Sequence, residues 1–185
     1  MRRKCNSNLV PPPLDNIERV TTMTILGVTI NDRFSLALHV QRLLHKGYQT
    51  LYGLKVLKAH GLCGQDLHNV AESLLFGSIF YACPAWRGFL TLDEVRQIDS
   101  IIRKSYKWGF FRKYPDTFNS LADQHDTTLF KAILSNPNHS LHHLLPPSHI
   151  TLHNLRPRSH DRTLTSCTTL QKKNFIQRML FKDMY

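Results

Sequence analysis

Apolar side chains recur at helical spacing over much of this chain, and the spacing predicts a mainly α-helical fold. From Ser35 to His60 the apolar positions form one stripe of Leu36, Val40, Leu43, Leu44, Leu51, Leu54 and Leu57. The cations outside this stripe are Arg42, Lys46, Lys55 and Lys58. We expect one amphipathic helix here, which the glycines at positions 47 and 53 weaken.

Residues 64–114 predict two further helices that meet at Pro84. The first carries an apolar stripe of Leu67, Val70, Leu74 and Ile79. In the second, the side chain of Thr91 can cap the helix while Glu94, three residues later, reaches back to the Thr91 amide. The buried stripe of this helix is expected to be Val95, Ile98, Ile101 and Ile102.

Before the first helix, the pattern changes to that of one strand or two. Residues 20–30 are rich in β-branched side chains, and Asn31 with Asp32 supplies a turn. Gly27 lies in the middle of this stretch, where a glycine indicates either a bulge or a close approach of the main chain to another group. Residues 1–13 contain three consecutive prolines and predict no helix.

Beyond Pro115 the helical pattern runs from Phe118 to Asn136, with an interruption expected at residues 123–126. Residues 141–160 are punctuated by prolines and predict an extended connection. A helical stripe returns over residues 170–185. The whole pattern predicts a small N-terminal β-hairpin followed by a helical bundle and a further helical C-terminal region.

Charge narrows the class of partner. The formal net charge is +11 and the isoelectric point is about 9.8, which favours a polyanion. The cations are dispersed over helical faces, so nucleic acid is favoured over a membrane surface. No apolar run reaches the ~18 residues of a membrane span, and no apolar segment of a signal peptide follows the basic start. We therefore expect an intracellular, soluble protein with no membrane partner.

The end of the capped helix interleaves cations and aromatic rings. Arg103, Lys104 and Lys107 are followed at once by a second group, Trp108, Phe110, Phe111, Arg112 and Lys113. Cations displace counterions from a nucleic-acid backbone, and rings stack on bases. The alternative is an ordinary solvated helix end, since cations also favour helix C-termini and aromatic residues are common in cores.

The spacing of the cysteines and histidines does not indicate a metal site. Four cysteines occur without a Cys-x-x-Cys pair, which indicates free thiols in a reducing compartment. Imidazoles are frequent near the C-terminus, but no cysteine or carboxylate stands at ligand spacing from them. We expect most of them to be solvent-exposed or to form turns: His139, His142, His143, His149, His153 and His160.

No catalytic motif is present. The chain lacks a nucleophile elbow, a phosphate-binding glycine loop and a His-Glu-x-x-His zinc motif. Two-metal phosphoryl transfer uses paired carboxylates, and the sequence contains no adjacent Asp pair. Asp93, Asp99, Asp123 and Asp126 are expected to be solvated helix charges. We expect no catalytic residue and no enzymatic activity of the isolated chain.

Several short motifs, taken in order, carry a family resemblance. They begin with Ile17-Glu18-Arg19-Val20, Ile25-Leu26-Gly27-Val28, His39-Val40 and Tyr81-Ala82-Cys83-Pro84-Ala85-Trp86. They continue with Ile98-Asp99, Leu121-Ala122, Asp126, Leu129-Phe130, Asn136-Pro137-Asn138-His139, Leu141 and Leu144-Leu145-Pro146-Pro147. They end with Leu155-Arg156, Arg158, His160, Asn174-Phe175-Ile176 and Arg178-Met179-Leu180. Together they resemble the reverse transcriptase, an RNA-directed DNA polymerase, of jockey-like non-LTR retrotransposons, which are mobile elements.

The resemblance implies three regions. Residues 1–34 would match the end of the palm, with Leu26-Gly27 at the primer-grip hairpin near the primer's 3′ end. Residues 35–114 would match the thumb that clasps the template–primer duplex, and residues 115–185 the region after it. The candidate phosphate contacts are Arg42, Lys46, Lys55, Lys58, Arg103, Lys104 and Lys107.

The family's fingers and most of its palm, including the aspartates that hold Mg²⁺ in the parent polymerase, would lie upstream of this sequence. The chain is therefore expected to be a C-terminal fragment without a cofactor of its own. Two alternatives stay open: an independent helical nucleic-acid adaptor, and a protein-interaction module without affinity for polyanions. The fragment hypothesis predicts an unpaired strand edge near residues 22–30, whereas the adaptor predicts a closed core.

Overall fold

A computed structural model describes residues 15–111, 116–148 and 160–182. It confirms the mainly α fold: a two-stranded hairpin, β1 (Thr22–Ile25) and β2 (Val28–Asn31), precedes the helices. These are α1 (Ala37–Ala59), α2 (Gly64–Ala71), α3 (Gly77–Ile79), α4 (Cys83–Trp86), α5 (Leu92–Lys107), α6 (Phe118–Ser135) and α7 (Phe175–Leu180). Short 3₁₀ turns occupy Arg87–Phe89, His142–Leu144 and Gln171–Lys173.

The hairpin turns at Leu26 and Gly27. The strands are antiparallel, with Ile25 opposite Val28. Both turn residues have positive φ, 46° for Leu26 and 83° for Gly27, as a two-residue type I′ turn requires. Gly27 is therefore a turn glycine, so placing it inside a strand or at a bulge was wrong. The Asn31 side chain accepts hydrogen bonds from the amides of Arg33 and Ser35, which forms the predicted turn into α1.

Helix α1 runs without a break through both of its glycines. Gly47 is buried where α1 crosses α5, and a Cβ added there would lie 2.8 Å from Ile101 Cδ1. The predicted stripe is buried at Leu36, Val40 and Leu51, among others, but Leu57, at its end, is exposed. All four cations outside the stripe are exposed. Close helix packing at Gly47 thus explains one of the two glycines.

The second helical stretch contains a π-helical turn, Glu72–Phe76, between α2 and α3. This wider turn changes the helical phase, so Leu75 is buried and Leu74 is exposed. Leu74 therefore does not belong to the buried stripe in which we had placed it. Farther along, the corner at Pro84 is present as α4, which follows Ala82 in a left-handed conformation.

Helix α5 begins with the predicted capping box. Thr91 Oγ1 accepts a hydrogen bond from the Glu94 amide, and the Glu94 carboxylate accepts one from the Thr91 amide at 2.7 Å. Helix α5 also contacts the start of α6, where Asp99 accepts a hydrogen bond from the Phe118 amide at 2.7 Å. The side chain of Asp99 is thus a structural contact.

Helix α6 connects two hydrophobic clusters. It is continuous, so the interruption expected at residues 123–126 is absent. Its first half, at Phe118 and Ala122, belongs to the cluster of α1–α5, and its second half, at Phe130 and Ile133, packs with α7. The predicted division of the chain at residues 34 and 114 stays a prediction. None of the described helices is long and apolar enough to cross a membrane.

Candidate nucleic-acid interface

The hairpin tip lies beside two of the predicted cations. Leu26 and Gly27 border an open groove of about 750 Å³ together with Arg42 and Lys46 of α1. We call this the grip groove. The rest of its lining is His39, Leu43, Thr50, Ser73, Leu74, Gly77, Ser78 and Tyr81. The structure thus brings together four of the nine residues that the sequence indicated.

Arg42 connects the hairpin to α1. Its Nη1 donates to Thr29 Oγ1 at 2.7 Å, and Thr29 Oγ1 lies 2.9 Å from Thr24 Oγ1 on the other strand. Thr29 is buried while Arg42 remains exposed, so one guanidinium both holds the hairpin and faces the groove. The position of the hairpin tip relative to α1 therefore depends on Arg42.

Leu26 is an unusual residue for its position. It has a left-handed backbone conformation and 85% of its surface is exposed. Asparagine, aspartate and glycine are the residues that such a turn favours, and a leucine there carries backbone strain without the gain of burial. The strain at Leu26 makes it a candidate contact residue at the tip of the hairpin.

The lining of the groove also includes apolar and aromatic side chains. Tyr81 is exposed, and a Cβ added to Gly27 would lie 3.6 Å from Tyr81 Cε1. The π-helical turn directs Leu74 outward into the same lining. The lining of the grip groove therefore combines cations with an exposed ring, which is the combination that contacts phosphate and base or sugar.

His39 lies at the buried edge of the groove. Its ring packs edge-on against Trp86, with 5.0 Å between centroids. Burial and, to a smaller extent, the nearby Arg42 lower the pKa of His39 from its ordinary value. The imidazole is thus held neutral, and Arg42 and Lys46 supply the positive charge of the groove.

Two more of the predicted cations, Lys55 and Lys58, lie on the other flank of α1, and Lys104 of α5 contacts Tyr48 on the same flank. At ~100° per residue, Lys55 projects ~220° around the helix axis from Arg42. Lys58 Nζ donates to the Trp108 carbonyl at 2.9 Å, and Lys104 Nζ lies 4.6 Å from the centroid of the Tyr48 ring. Lys55, Lys58, Trp108 and Phe110 border a second cavity of about 330 Å³.

The last two, Arg103 and Lys107, lie on the outer face of α5. They project ~140° and ~180° from buried Ile98, and both are exposed. Neither lines the grip groove, and neither forms an ion pair with another described residue. The nine sequence candidates therefore fall into three separate places: the grip groove, the second flank of α1 and the outer face of α5.

The groove and the second flank share a local excess of positive charge. No acidic residue occurs between Asp32 and Asp66, so α1 carries none. The C-terminal half of α5, after Asp99, carries none either. Because α1 and the C-terminal half of α5 carry no carboxylate, both flanks of α1 are suited to a polyanion.

No family model, curated protein or solved structure matches the chain. The interpretation of the site therefore depends on its geometry and on the motifs of the sequence.

The sequence interpretation missed a buried ionic cluster between α4, α6 and α7. The Asp126 side chain is fully buried, and its Oδ2 accepts from Arg87 Nε at 2.6 Å and from Arg178 Nη2 at 2.8 Å. Arg87 also pairs with Asp123, and Arg178 donates to the Pro84 carbonyl at 3.0 Å. Describing Asp126 as a solvated charge was wrong. Its i+4 spacing from Ala122 and to Phe130, both buried, could have revealed it.

The buried ionic cluster has a structural role. Burial alone would lower the pKa of Arg87, but pairing with Asp126 and Asp123 outweighs burial and raises it. Burial raises the pKa of the neighbouring Cys83 thiol to about 12, with Arg87 opposing and Asp126 adding to the shift. A thiol with so high a pKa is not a nucleophile at neutral pH. The cluster joins α6 and α7 to the Pro84 corner.

The histidines are more structural than expected. His160 is buried and not solvent-exposed, but it forms a turn, because its Nδ1 accepts a hydrogen bond from the Arg162 amide at 3.1 Å. Its Nε2 lies 2.9 Å from the Leu180 carbonyl oxygen. His142 Nδ1 lies 2.7 Å from the Ile133 carbonyl oxygen. His139 forms a turn, while positions 149 and 153 lie outside the described residues. Among the residues described, no three His, Cys, Asp or Glu side chains form a group that could hold a metal.

Proposed function

We propose that this chain binds the backbone of an RNA/DNA template–primer duplex through the grip groove. The hairpin tip would approach the primer end and α1 would follow one strand, as the primer grip and thumb do in the non-LTR reverse transcriptases that the sequence resembles. The observation that carries the proposal is the convergence of Leu26, Gly27, Arg42 and Lys46 on one groove.

The spacing of the groove cations supports contact with one strand. Arg42 and Lys46 are four residues apart on α1, which places them ~5–6 Å apart on one helix face. Adjacent phosphates of one strand can therefore be reached by both side chains, and Tyr81 and Leu26 offer apolar contact beside them. Contacts of this kind give affinity for a backbone and little sequence preference.

We propose no catalytic step for this chain. Polymerisation by two metal ions uses carboxylates that hold Mg²⁺, and the sequence contains no adjacent Asp pair. In the family that it resembles, those aspartates belong to the palm. The function proposed here is positioning of the duplex.

An alternative function is a protein-interaction module, and one observation favours it. Strand β1 is exposed along its length, it pairs only with β2 among the described residues, and Met23 and Ile25 are exposed on it. An open apolar strand edge can receive a strand from a partner protein. An open edge is also expected of a fragment whose palm strands would cover it in the parent polymerase, so the edge does not distinguish the two functions. The salt dependence of binding does distinguish them.

The test compares two double variants that each remove two positive charges. R42Q/K46Q changes the groove, and R103Q/K107Q changes the outer face of α5. At about 100 mM salt we expect the groove variant to bind an RNA–DNA hybrid at least ~10-fold more weakly, and the outer-face variant to lose no more than ~3-fold.

Because Arg42 also holds Thr29, the single variant K46Q is measured as well, and thermal unfolding of each variant is recorded. K46Q leaves the contact between Arg42 and Thr29 intact. We expect it to lose about half of the binding free energy that R42Q/K46Q loses. Equal weakening by the two double variants, or no binding of the hybrid by the unaltered chain, would refute the proposed function.

A further inference from the structure

We propose that the second flank of α1 is a separate binding site for single-stranded nucleic acid. We call it the stacking face, and its residues are Tyr48, Tyr52, Lys55, Lys58, Lys104 and Trp108. This goes beyond the proposed function, because it assigns a different ligand to a different surface and does not require duplex binding by the grip groove.

The stacking face is formed by two neighbouring helical rows. In α1, Tyr48, Tyr52 and Lys55 stand at i, i+4 and i+7, so they lie on one side of the helix. In α5, Lys104 and Trp108 are one turn apart. Lys104 Nζ lies 3.3 Å from Tyr48 Oη, which joins the two rows. Close packing at Gly47 brings the helices near enough for this contact.

Two aromatic rings of this face are available for stacking. Tyr52 is 70% exposed and Trp108 is 41% exposed, although rings of this size are usually buried in a core. Lys104 covers the ring of Tyr48, which leaves Tyr52 and Trp108 as the platforms. An unpaired base can stack on such a ring, whereas the bases of a duplex are already stacked on each other.

The cations beside these rings have no ion-pair partner among the described residues. Lys58 Nζ donates to the Trp108 carbonyl and lies 5.9 Å from the centroid of the Phe110 ring, and among the described residues it forms no ion pair with a carboxylate. Lys55 forms no ion pair with any residue that the structure describes. The cavity between Lys55, Lys58 and Trp108 therefore places two ammonium groups next to a stacking ring.

Charge and rings together select the ligand. In α5 a cation and a ring, Lys104 and Trp108, stand one turn apart, and Lys55 and Lys58 border the same ring, which fits a chain that alternates phosphate and base. We therefore assign the stacking face to a single strand.

Tryptophan fluorescence gives a direct test, because the chain has only two tryptophans and Trp86 is 2% exposed. An oligothymidylate of about 12 nucleotides should quench the emission of Trp108. The W108F variant should lose the quenching, which would assign it to this ring. Inorganic polyphosphate, which carries charge but no bases, should cause little quenching.

A matched pair of tyrosine variants locates the site. Y52A should weaken binding of the oligothymidylate about 10-fold, and Y81A, which removes another exposed tyrosine, from the grip groove, should leave it unchanged. The inference is overturned if the strand causes no quenching, if polyphosphate quenches as well, or if both variants weaken binding equally. Failure of the proposed function would be seen separately, if K46Q bound the RNA–DNA hybrid as tightly as the unaltered chain does.

Discussion

At the scale of single residues, the charge of Asp126 has a large predicted effect on stability. Its carboxylate has no exposed surface and faces two guanidiniums that are largely buried, with side-chain exposures of 12% and 19%. Removing one member of a buried ionic cluster leaves the others without compensation and commonly costs about 3–5 kcal/mol.

We therefore expect D126N to lower the free energy of unfolding by about 3 kcal/mol, as measured by urea denaturation. The control is D93N, because Asp93 pairs with Arg96 at the surface, where both side chains are mostly exposed. Its loss should not exceed about 1 kcal/mol. Losses of similar size in the two variants would show that the buried cluster contributes no more than a surface pair.

His39 should make stability depend on pH. Its pKa is lowered in the folded protein from 6.5, mainly by burial, so below that value the unfolded chain binds more protons than the folded one. The contribution of the neutral imidazole is complete above pH 6.5 and is lost as pH falls through the lowered pKa.

The variant H39F keeps a ring against Trp86 and removes this titration. Between about pH 7.5 and pH 5.5 it should lose less of its free energy of unfolding than the unaltered chain does. The other histidines are common to both proteins and cancel in the comparison. Parallel pH profiles would contradict the assignment.

The exposure of a side chain could be predicted from the sequence where its position around the helix axis alone decides it. The cations of α1 and α5 are exposed because they lie outside regular apolar stripes. Asp126 and His160 could not be placed by their residue types, because both are polar groups whose partners, Arg178 and the Leu180 carbonyl, are far away in sequence.

At the scale of elements, the two glycines of α1 make a matched test of packing. A Cβ at position 47 would meet Ile101 Cδ1 at 2.8 Å inside the core, whereas at position 53 nothing lies within 4 Å. Alanine gains roughly 0.5–1 kcal/mol over glycine inside a helix, but overpacking a core costs about 1–3 kcal/mol.

G53A should thus stabilise the protein by about 0.5–1 kcal/mol, while G47A should destabilise it by about 1 kcal/mol. The measurement is the urea midpoint of each variant beside the unaltered chain. Stabilisation by both would mean that α1 and α5 are not in close contact at Gly47.

Element types and their ends were predictable where local chemistry specifies them, as with the capping box of α5. The π-helical turn was not, because the pattern of Leu74 and Leu75 fits either helical phase until the helix packs. For the same reason Gly27 could be recognised as important, but its turn conformation depends on the pairing of β1 with β2.

At the scale of the whole molecule, helix α1 separates two positively charged surfaces. The sequence indicated the cations and the hairpin tip but grouped them as one interface. Their division into a groove, a stacking face and the outer face of α5 follows from helical phase and from the crossing of α1 with α5, which only the packed structure shows. Duplex binding in the groove is the central claim.

The most direct measurement of that claim is the salt dependence of hybrid affinity for R42Q/K46Q and R103Q/K107Q. Each phosphate contact contributes close to one unit to the slope of log affinity against log salt. The groove variant should lose about two units of slope between about 50 and 200 mM salt, and the outer-face variant should keep its slope. Equal slopes in the two variants would contradict the claim, because affinity would then reflect net charge alone.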